Sequence, residues 1–216
     1  MIIDPRMTVF LDSLDGGYTP FLEDLAKRAK EENVPIIRRS MRSLLRVLLE
    51  MNRPARILEV GTAVGFSSIL MARYGPEDCR ITTIENYEKR IREAEKNIAA
   101  SGFGDRITLI RGDAGDVLKQ LTDPFDFVFM DAAKGQYVVW LDDVVRLLCP
   151  GGVLLSDNVL QEGDLVESHY IVTRRNRTIY KRMRQYLYEL THREDLSTTI
   201  LPVGDGAALT VKKQPR

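Results

Sequence analysis

Cysteine and histidine are scarce in this chain of 216 residues, which contains two of each. Cys79 and Cys149 lie far apart in the sequence, so they indicate neither a disulfide framework nor a cysteine-rich zinc site. Two histidines are too few for a metal site built from several imidazoles. These absences exclude small disulfide-stabilised scaffolds and the common zinc-binding classes.

The chain also lacks net charge and long apolar runs. Its 31 Lys and Arg residues balance 31 Asp and Glu residues, which excludes a globally basic nucleic-acid-binding protein but not a local basic face. Apolar runs reach only about five or six residues, whereas a membrane-spanning helix needs roughly 20. Asp4, Arg6 and Asp12 interrupt the N-terminal segment, where a signal peptide is continuously apolar. We therefore expect a cytoplasmic protein that makes no membrane contact.

The composition is that of a globular domain, with 44% hydrophobic and 29% charged residues. The length predicts a single domain spanning the whole chain, 1–216. Its first part, 1–53, contains three amphipathic helical patterns and is expected to form an N-terminal helical cap. The remainder, 54–216, is expected to form the core.

Short apolar segments alternate with helical patterns throughout most of the predicted core. This alternation predicts an α/β fold with a doubly wound, Rossmann-like sheet that is mostly parallel. Near the C-terminus, 196–203 and 208–213 are joined by Gly-Asp-Gly, which predicts an antiparallel hairpin. The five parallel strands are predicted at 56–60, 81–85, 106–110, 125–131 and 152–158.

Glycines and carboxylates follow the first strands at the edge where such sheets bind ligands. Gly61 and Gly65 come directly after the first strand, where we expect glycine because the backbone must approach a ligand closely as the chain turns into a helix. Glu59 lies at the end of the first strand, Glu85 closes the second strand and Asp113 follows the third. Acidic side chains disfavour a pyrophosphate, so we expect a nucleoside that carries positive charge. S-adenosylmethionine, a sulfonium, is such a ligand. The alternative is that the glycines serve turns alone and the carboxylates cap helices.

A second set of polar residues follows the fourth and fifth strands. Asp131 ends one of these strands, and Asp157 and Asn158 end the other. Two carboxylates and an amide are hard oxygen ligands that suit Mg²⁺. A helix cap at Asp131 and a turn at Asp157-Asn158 are the alternatives. Lys134 is a candidate general base, because a neighbouring divalent cation and a sulfonium would disfavour its ammonium form.

The segments LEVGTAVGFSS, TTIE, GDA, MDAAKGQY and LLSDNVL occur here in this order. Together they resemble the metal-dependent O-methyltransferases of the catechol and caffeoyl-CoA type, over about residues 20–213. The segments VPI, DAAKGQY, DNVL and PVGDG are similar to those of the bacterial tRNA 5-hydroxyuridine methyltransferases, which convert the wobble-position nucleoside to 5-methoxyuridine. The resemblance implies a class I methyltransferase fold, S-adenosylmethionine and Mg²⁺ as cofactors, and a homodimer.

The resemblance also implies roles for individual residues. Lys134 matches the catalytic lysine, and Asp131 is expected to act in catalysis and to touch the cofactor. The Mg²⁺ ligands are expected to be Asp131, Asp157 and Asn158. Ala63 departs from the catechol enzymes, which carry an aromatic side chain there. The expected cofactor-binding residues are Ile37, Glu59, Gly61, Ser67, Glu85, Asp113, Ala114 and Asp131.

The prediction of the substrate depends on one basic stretch of the sequence. The stretch TRRNRTIYKRMR at 173–184 is strongly basic and contains no acid, which suits a phosphate backbone. With the resemblance, it predicts tRNA as the substrate, with Tyr170 and Tyr180 as candidates for stacking on a base. The alternatives are a solvated helix face, a small phenolic or catechol substrate, and a non-catalytic nucleoside-binding module. We expect basic side chains to form a rim around the site, and Arg42 is a further candidate for it. The candidate tRNA-binding residues of this basic rim are Arg38, Arg39, Arg174, Arg175, Arg177 and Lys181.

Overall fold

A single seven-stranded sheet organises the protein. The computed structural model describes residues 4–167, 173–174 and 176–215, and Tyr170 and Arg175 lie outside these ranges. The strands are β1 (Arg56–Val60), β2 (Arg80–Glu85), β3 (Ile107–Arg111), β4 (Phe125–Met130), β5 (Leu148–Ser156), β6 (Leu196–Leu201) and β7 (Ala207–Lys212). Their spatial order is β3-β2-β1-β4-β5-β7-β6.

Strands β1 to β5 run parallel, and β7 runs antiparallel to both β5 and β6. The predicted doubly wound parallel sheet with a C-terminal antiparallel hairpin is therefore confirmed. The fifth strand begins earlier than predicted, because Leu148 pairs with Phe125 on the far side of a register shift. It ends at Ser156, so Asp157 and Asn158 follow the strand.

Helices cover both faces of the sheet. Successive side chains on a strand point to opposite faces, so apolar residues along each strand need a covering layer on both sides. In β4, Phe127 and Phe129 pack in one buried cluster, and Val128 and Met130 pack in the other. Helices α2 to α5 contribute to the first cluster and α6 to α8 to the second. The helices are α1 (Pro5–Ser13), α2 (Pro20–Glu31), α3 (Arg39–Asn52), α4 (Phe66–Tyr74), α5 (Glu88–Ser101), α6 (Ala114–Gln120), α7 (Tyr137–Leu147) and α8 (Arg177–His192).

The first helix differs from the other two of the N-terminal segment. Asp4 caps α1 by accepting a hydrogen bond from the Arg6 amide, and Pro5 occupies the first helical position. Yet α1 has no buried residue, whereas α2 and α3 each bury an apolar face. The helix was predicted correctly, but its apolar face finds no cover within the described part of the chain.

Among the described residues, the helices are all too short or too polar to cross a bilayer. The division into a cap at 1–53 and a core at 54–216 stays a prediction.

Candidate active site

The carboxyl ends of β1 and β4 adjoin at the point where the strand order reverses, and open α/β sheets bind ligands at such a crevice. Two cavities meet there, of about 470 Å³ and about 370 Å³. We call the larger the first cavity and the smaller the second cavity. Both are lined by Gly61, Ala63, Asp131 and Ala132, so they adjoin as one cleft above the two strands.

The first cavity is lined by three predicted cofactor-binding residues, Glu85, Asp113 and Ala114. The Glu85 carboxylate accepts hydrogen bonds from the backbone amides of Ala63 (2.9 Å) and Asn86 (3.0 Å). This acid therefore holds the loop after β1 in place while facing the cavity. Asp113 also caps α6, since it accepts a hydrogen bond from the Gly115 amide at 2.8 Å. The alternative that these acids cap helices is thus correct for Asp113. The same residue also lines the first cavity.

Trp140 was missed in the sequence, although it lines the first cavity. It is the only tryptophan in the chain and is almost fully buried. A large flat ring at such a wall is a surface on which a nucleobase can pack. The presence of a single tryptophan in the chain could have indicated a ligand-binding role. Its position in a predicted helix, however, indicated only a core residue.

Gly61 is required for a reason other than the one we inferred from its sequence. Its φ is +105°, and an added Cβ would collide with the backbone carbonyl of Asp131. The expectation that the glycine exists to let a ligand approach is therefore incomplete. The close approach is between two strand ends of the same sheet, and the same approach brings Asp131 to the cleft.

Glu59 is fully buried in β1. One carboxylate oxygen accepts hydrogen bonds from the hydroxyls of Ser68 and Thr83, and the other oxygen has no hydrogen-bond partner within the described part of the chain. Burial raises the pKa of Glu59 to about 7, against the lowering effect of the neighbouring hydroxyls. Glu59 lines neither cavity, whereas Ser67 and Ile37 line the second. Direct cofactor contact by Glu59 therefore stays a prediction.

The tips of β4 and β5 bring together the three predicted metal ligands. The Asn158 side-chain amide donates to Asp131 at 3.0 Å, and the Asp157 backbone amide donates to the carbonyl of Met130 at 2.9 Å. Asp131 and Asn158 line the second cavity with Lys134. Asp157 lies behind them, almost fully buried, and accepts a hydrogen bond from the Asn158 backbone amide at 2.6 Å. The alternative of a local turn therefore also describes this pair.

The electrostatics at the strand tips suit a cation. Burial and then the charge of Asp131 raise the pKa of Asp157 to about 7. Burial also raises the pKa of Asp131, which Lys134 opposes. Two close, buried carboxylates with a neighbouring amide are a donor set that a divalent ion would stabilise. Within the described ranges no three His, Cys, Asp or Glu side chains gather as a metal site, so this set depends on the amide of Asn158.

Lys134 begins a short 3₁₀ helix after β4, and its ammonium lies 3.4 Å from the carboxylate of Asp205. Asp205 sits in the turn between β6 and β7 and is almost fully buried. The sequence indicated only a hairpin turn there. The signal that was missed is an acid inside the PVGDG segment, whose partner lies 71 positions away.

The predicted basic rim is only partly present. Arg174, Lys181 and Arg38 are exposed, whereas Arg39 and Arg177 are half-buried, and Arg39 pairs with Glu23 at 3.6 Å. Tyr170 and Arg175 lie outside the described residues.

Two members of this prediction are wrong. Arg42 is buried, donates to the carbonyl of Ile37 at 2.9 Å and stacks on Phe66, so it is a core residue. Tyr180 is also buried, and its hydroxyl donates to the carbonyl of Glu167. Its ring therefore packs on the core and is not available for a base.

The sequence model of the O-methyltransferase family matches residues 13–213. The chain belongs to the O-methyltransferase family. A catechol O-methyltransferase of Mycobacterium tuberculosis is 33% identical over 165 residues, which are 75% of each chain. A catechol O-methyltransferase of Niastella koreensis is 35% identical over 129 residues, and the match spans 58% of each chain, less than two thirds of that relative.

Solved structures of O-methyltransferases share the fold over nearly the whole chain. An O-methyltransferase from Bacillus cereus in complex with SAH has a TM-score of 0.85 at 26% identity, and covers 96% of this chain and 97% of its own. TomG from Streptomyces achromogenes, in complex with SAM, has a TM-score of 0.84 at 28% identity, with coverages of 97% and 96%. The prediction of an S-adenosylmethionine-dependent O-methyltransferase is confirmed at the level of the family, which leaves the non-catalytic module without support.

Proposed function

We propose that this O-methyltransferase transfers a methyl group to 5-hydroxyuridine at the wobble position of tRNA, with Mg²⁺ as its metal. The observation that carries the metal-dependent chemistry is the meeting of Asp131, Asn158 and Lys134 at one cavity, with Asp157 buried behind them. The cleft beside them offers a place for the methyl donor.

The cleft formed by the first and second cavities would hold the methyl donor. Glu85 would accept hydrogen bonds from the ribose hydroxyls, and Asp113 and Ala114 would line the adenine end of the cleft, where Trp140 also lies. Ser67 and Ile37 lie at the methionine end, in the second cavity. When bound, S-adenosylmethionine supplies a methyl group on a positively charged sulfur. The remaining predicted cofactor-binding residues are Gly61 and Asp131, which border both cavities, and Glu59, which lies beneath them.

Asp131, Asp157 and Asn158 would hold the metal at the tips of β4 and β5. When bound, a divalent cation lowers the pKa of a coordinated hydroxyl and orients it. In its neutral amine form, Lys134 takes the proton that the substrate hydroxyl loses, and Asp205 lies 3.4 Å from its Nζ. The protein would contribute positioning and desolvation of the acceptor oxygen, with the buried Asp157 beside the site.

A tRNA substrate is supported by the cations around the site. Arg174 and Lys181 are exposed, and Arg182 ties α8 to the carbonyl of Gly135, next to the proposed general base. A phosphate backbone at this helix would therefore lie near the reacting hydroxyl. The 5-hydroxyl of the modified uracil has a carbonyl beside it, so the two oxygens can chelate one metal.

A small catechol or phenol is the second candidate substrate. It is favoured by the two relatives from Mycobacterium tuberculosis and Niastella koreensis, which are catechol O-methyltransferases. Adjacent hydroxyls on a catechol present the same pair of chelating oxygens. The two candidates therefore share the metal and the general base, and differ in whether phosphates contribute to binding.

Nucleoside analysis of tRNA from cells that lack this protein tests the substrate. We expect 5-methoxyuridine to disappear and 5-hydroxyuridine to accumulate. In parallel, the purified protein should methylate an anticodon stem-loop containing 5-hydroxyuridine with a higher kcat/KM than it shows for catechol. Unchanged 5-methoxyuridine in the cells, with efficient transfer to catechol in vitro, would assign the protein to the small-molecule branch.

The exposed face of α1 supports a homodimer. Val9, Phe10 and Leu14 are each more than half exposed, and Met7 and Leu11 are nearly so. An apolar patch of this kind on a capped, well-formed helix is typical of an interaction surface. A second copy of the chain offers the same patch, and a two-fold axis would bring the two together. The patch is the set Met7, Phe10, Leu11 and Leu14, which lie three or four positions apart and therefore share one face, whereas Val9 lies on another side of the helix.

A further inference from the structure

A third cavity, of about 280 Å³, lies beyond the proposed general base. Lys134 lines both this cavity and the second one, so a ring whose hydroxyl reaches Lys134 has this space available for its far edge. The cavity walls come from four separate parts of the chain, which only the fold brings together. They are Lys134, Gln161, Asp164, Asn176, Ile179 and Asp205.

Gln161 is the unusual member of this wall. Its side chain is only 8% exposed, and its amide nitrogen has no hydrogen-bond partner among the residues that the structure describes. A buried amide without a partner is costly, because the group has lost its water and gained nothing. A ligand that accepts a hydrogen bond from this group would remove the cost. The side-chain amide nitrogen of Gln161 is a donor, so the ligand atom has to be an acceptor.

The backbone at Gln161 is also held in a costly conformation. Its φ is +49°, in the left-handed region that favours glycine. Strain of this kind persists only where the surroundings fix it, and it occurs often at ligand sites. The surroundings here are explicit, because Leu160 donates to the carbonyl of Asp205 and Val159 donates to that of Gly206, both at 3.0 Å. Gln161 is therefore preorganised beside the hairpin turn that also supplies Asp205.

We propose that Gln161 determines substrate specificity by donating a hydrogen bond to a ring carbonyl of the methyl acceptor. This inference rests on the proposed 5-hydroxyuridine substrate. A uracil ring carries carbonyl oxygens in addition to its 5-hydroxyl, whereas a catechol ring presents only C–H groups beyond its two hydroxyls. An acceptor that satisfies the Gln161 amide gains a hydrogen bond in the cavity. One that lacks a carbonyl leaves the amide unpaired and binds at a disadvantage.

The test compares two acceptors on one variant. Gln161→Met keeps the length of the side chain and removes the donor. We expect kcat/KM for a 5-hydroxyuridine stem-loop to fall about tenfold, which is the value of one hydrogen bond, and kcat/KM for catechol to stay within about twofold. Gln161→Glu keeps the shape of the glutamine side chain but removes its N–H donor. It should lower kcat/KM for the stem-loop by at least as much as Gln161→Met does. Gln120→Met makes the same chemical change at an exposed position on α6 and should alter neither acceptor.

The ratio of the two kcat/KM values separates the outcomes, because a poorly folded variant loses both activities together. Equal losses for the stem-loop and catechol, or no loss for either, would overturn the role of Gln161 while leaving the tRNA function standing. A wild-type protein that methylates catechol and not the stem-loop would overturn the proposed function, and this inference with it. Only a loss of kcat/KM that affects the stem-loop and spares catechol supports both the role of Gln161 and the proposed tRNA function.

Discussion

The side-chain amide of Asn158 donates a hydrogen bond of 3.0 Å to the carboxylate of Asp131, which precedes it by 27 positions. The bond joins the tips of β4 and β5, which are neighbours in the sheet. It draws the ends of two strands together at the second cavity, with Lys134 on the same wall. The metal chemistry that we propose depends on this junction.

Removal of the metal or of one ligand should stop turnover and spare the binding of S-adenosylhomocysteine. EDTA, or Asp157→Ala, is expected to lower kcat at least about 100-fold, because changes to the residues that merely support metal ligands already cost about 10–100-fold. Calorimetry should give a Kd for S-adenosylhomocysteine within about threefold of the untreated protein. Asp142→Ala, at an exposed position on α7, is the control. Full activity in EDTA would remove the metal from the mechanism.

In the protein without cofactor, Glu59→Gln should increase the free energy of unfolding relative to wild type, and this gain should be larger at neutral pH than at acid pH. The pKa of Glu59 is raised to about 7 in the folded state, so the folded state keeps a proton that the unfolded state has lost. The wild-type stability contributed by this group is complete below about pH 4.5 and is lost as pH rises towards 7. The loss amounts to about 3 kcal/mol, and glutamine does not titrate.

Urea unfolding at pH 5 and pH 8 measures this difference. The gain of Glu59→Gln over wild type should grow between the two pH values. Glu77→Gln, which replaces an exposed carboxylate, should track wild type at both. Parallel stability curves for Glu59→Gln and wild type would show that Glu59 is ionised in the folded protein throughout this range.

Gly61→Ala should destabilise the protein by about 3 kcal/mol or more, because the new methyl group meets the carbonyl of Asp131 and φ is positive. Gly104→Ala is the matched control, since an added Cβ there has nothing within 4 Å, and it should change stability by no more than about 1 kcal/mol. Chemical denaturation measures both. A tolerated alanine at position 61 would mean that the strand ends separate easily.

Methylation of tRNA should weaken steeply with salt, and Lys181→Gln should reduce that dependence. Removing one cation that binds a phosphate lowers the slope of log affinity against log salt by about 1. Lys181 is exposed on α8, so the substitution should leave the melting temperature unchanged. Lys119→Gln, at an exposed position on α6, serves as the control. Binding of tRNA that ignores salt, or an unaltered slope in the variant, would contradict a role for this helix in binding phosphates.

Phe10→Asp should shift the protein from dimer to monomer in sedimentation equilibrium. A carboxylate in the middle of an apolar interface loses its water without gaining a partner. Val139→Asp, at a similarly exposed apolar position on α7, should leave the dimer intact. A wild-type protein that sediments as a monomer, or a Phe10 variant that remains dimeric, would show that α1 does not mediate self-association.

Much of the fold was predictable because hydrophobic periodicity is local. The parallel strands, the hairpin at Gly204-Asp205-Gly206 and the placement of Asp131 and Asn158 at neighbouring strand tips all followed from pattern and topology. The interpretation of Arg42 and Tyr180 was wrong, because a charged or polar residue on a helix gives no sign of which face is covered. The burial of Arg42 depends on a partner distant in sequence, Phe66, and that of Tyr180 on the cluster that covers the other face of the sheet.

The sequence by itself determined the class of the protein, because the order of short strands, glycines and strand-end acids requires only local spacing and a rule about where parallel strands end. Tertiary structure alone decided which polar groups have partners. Gln161 is left with an unpaired amide and Lys134 meets Asp205 because β5 and the final hairpin fold against each other. Whether a polar group is satisfied depends on atoms brought within about 3 Å from distant parts of the chain, and spacing along the sequence carries no such information.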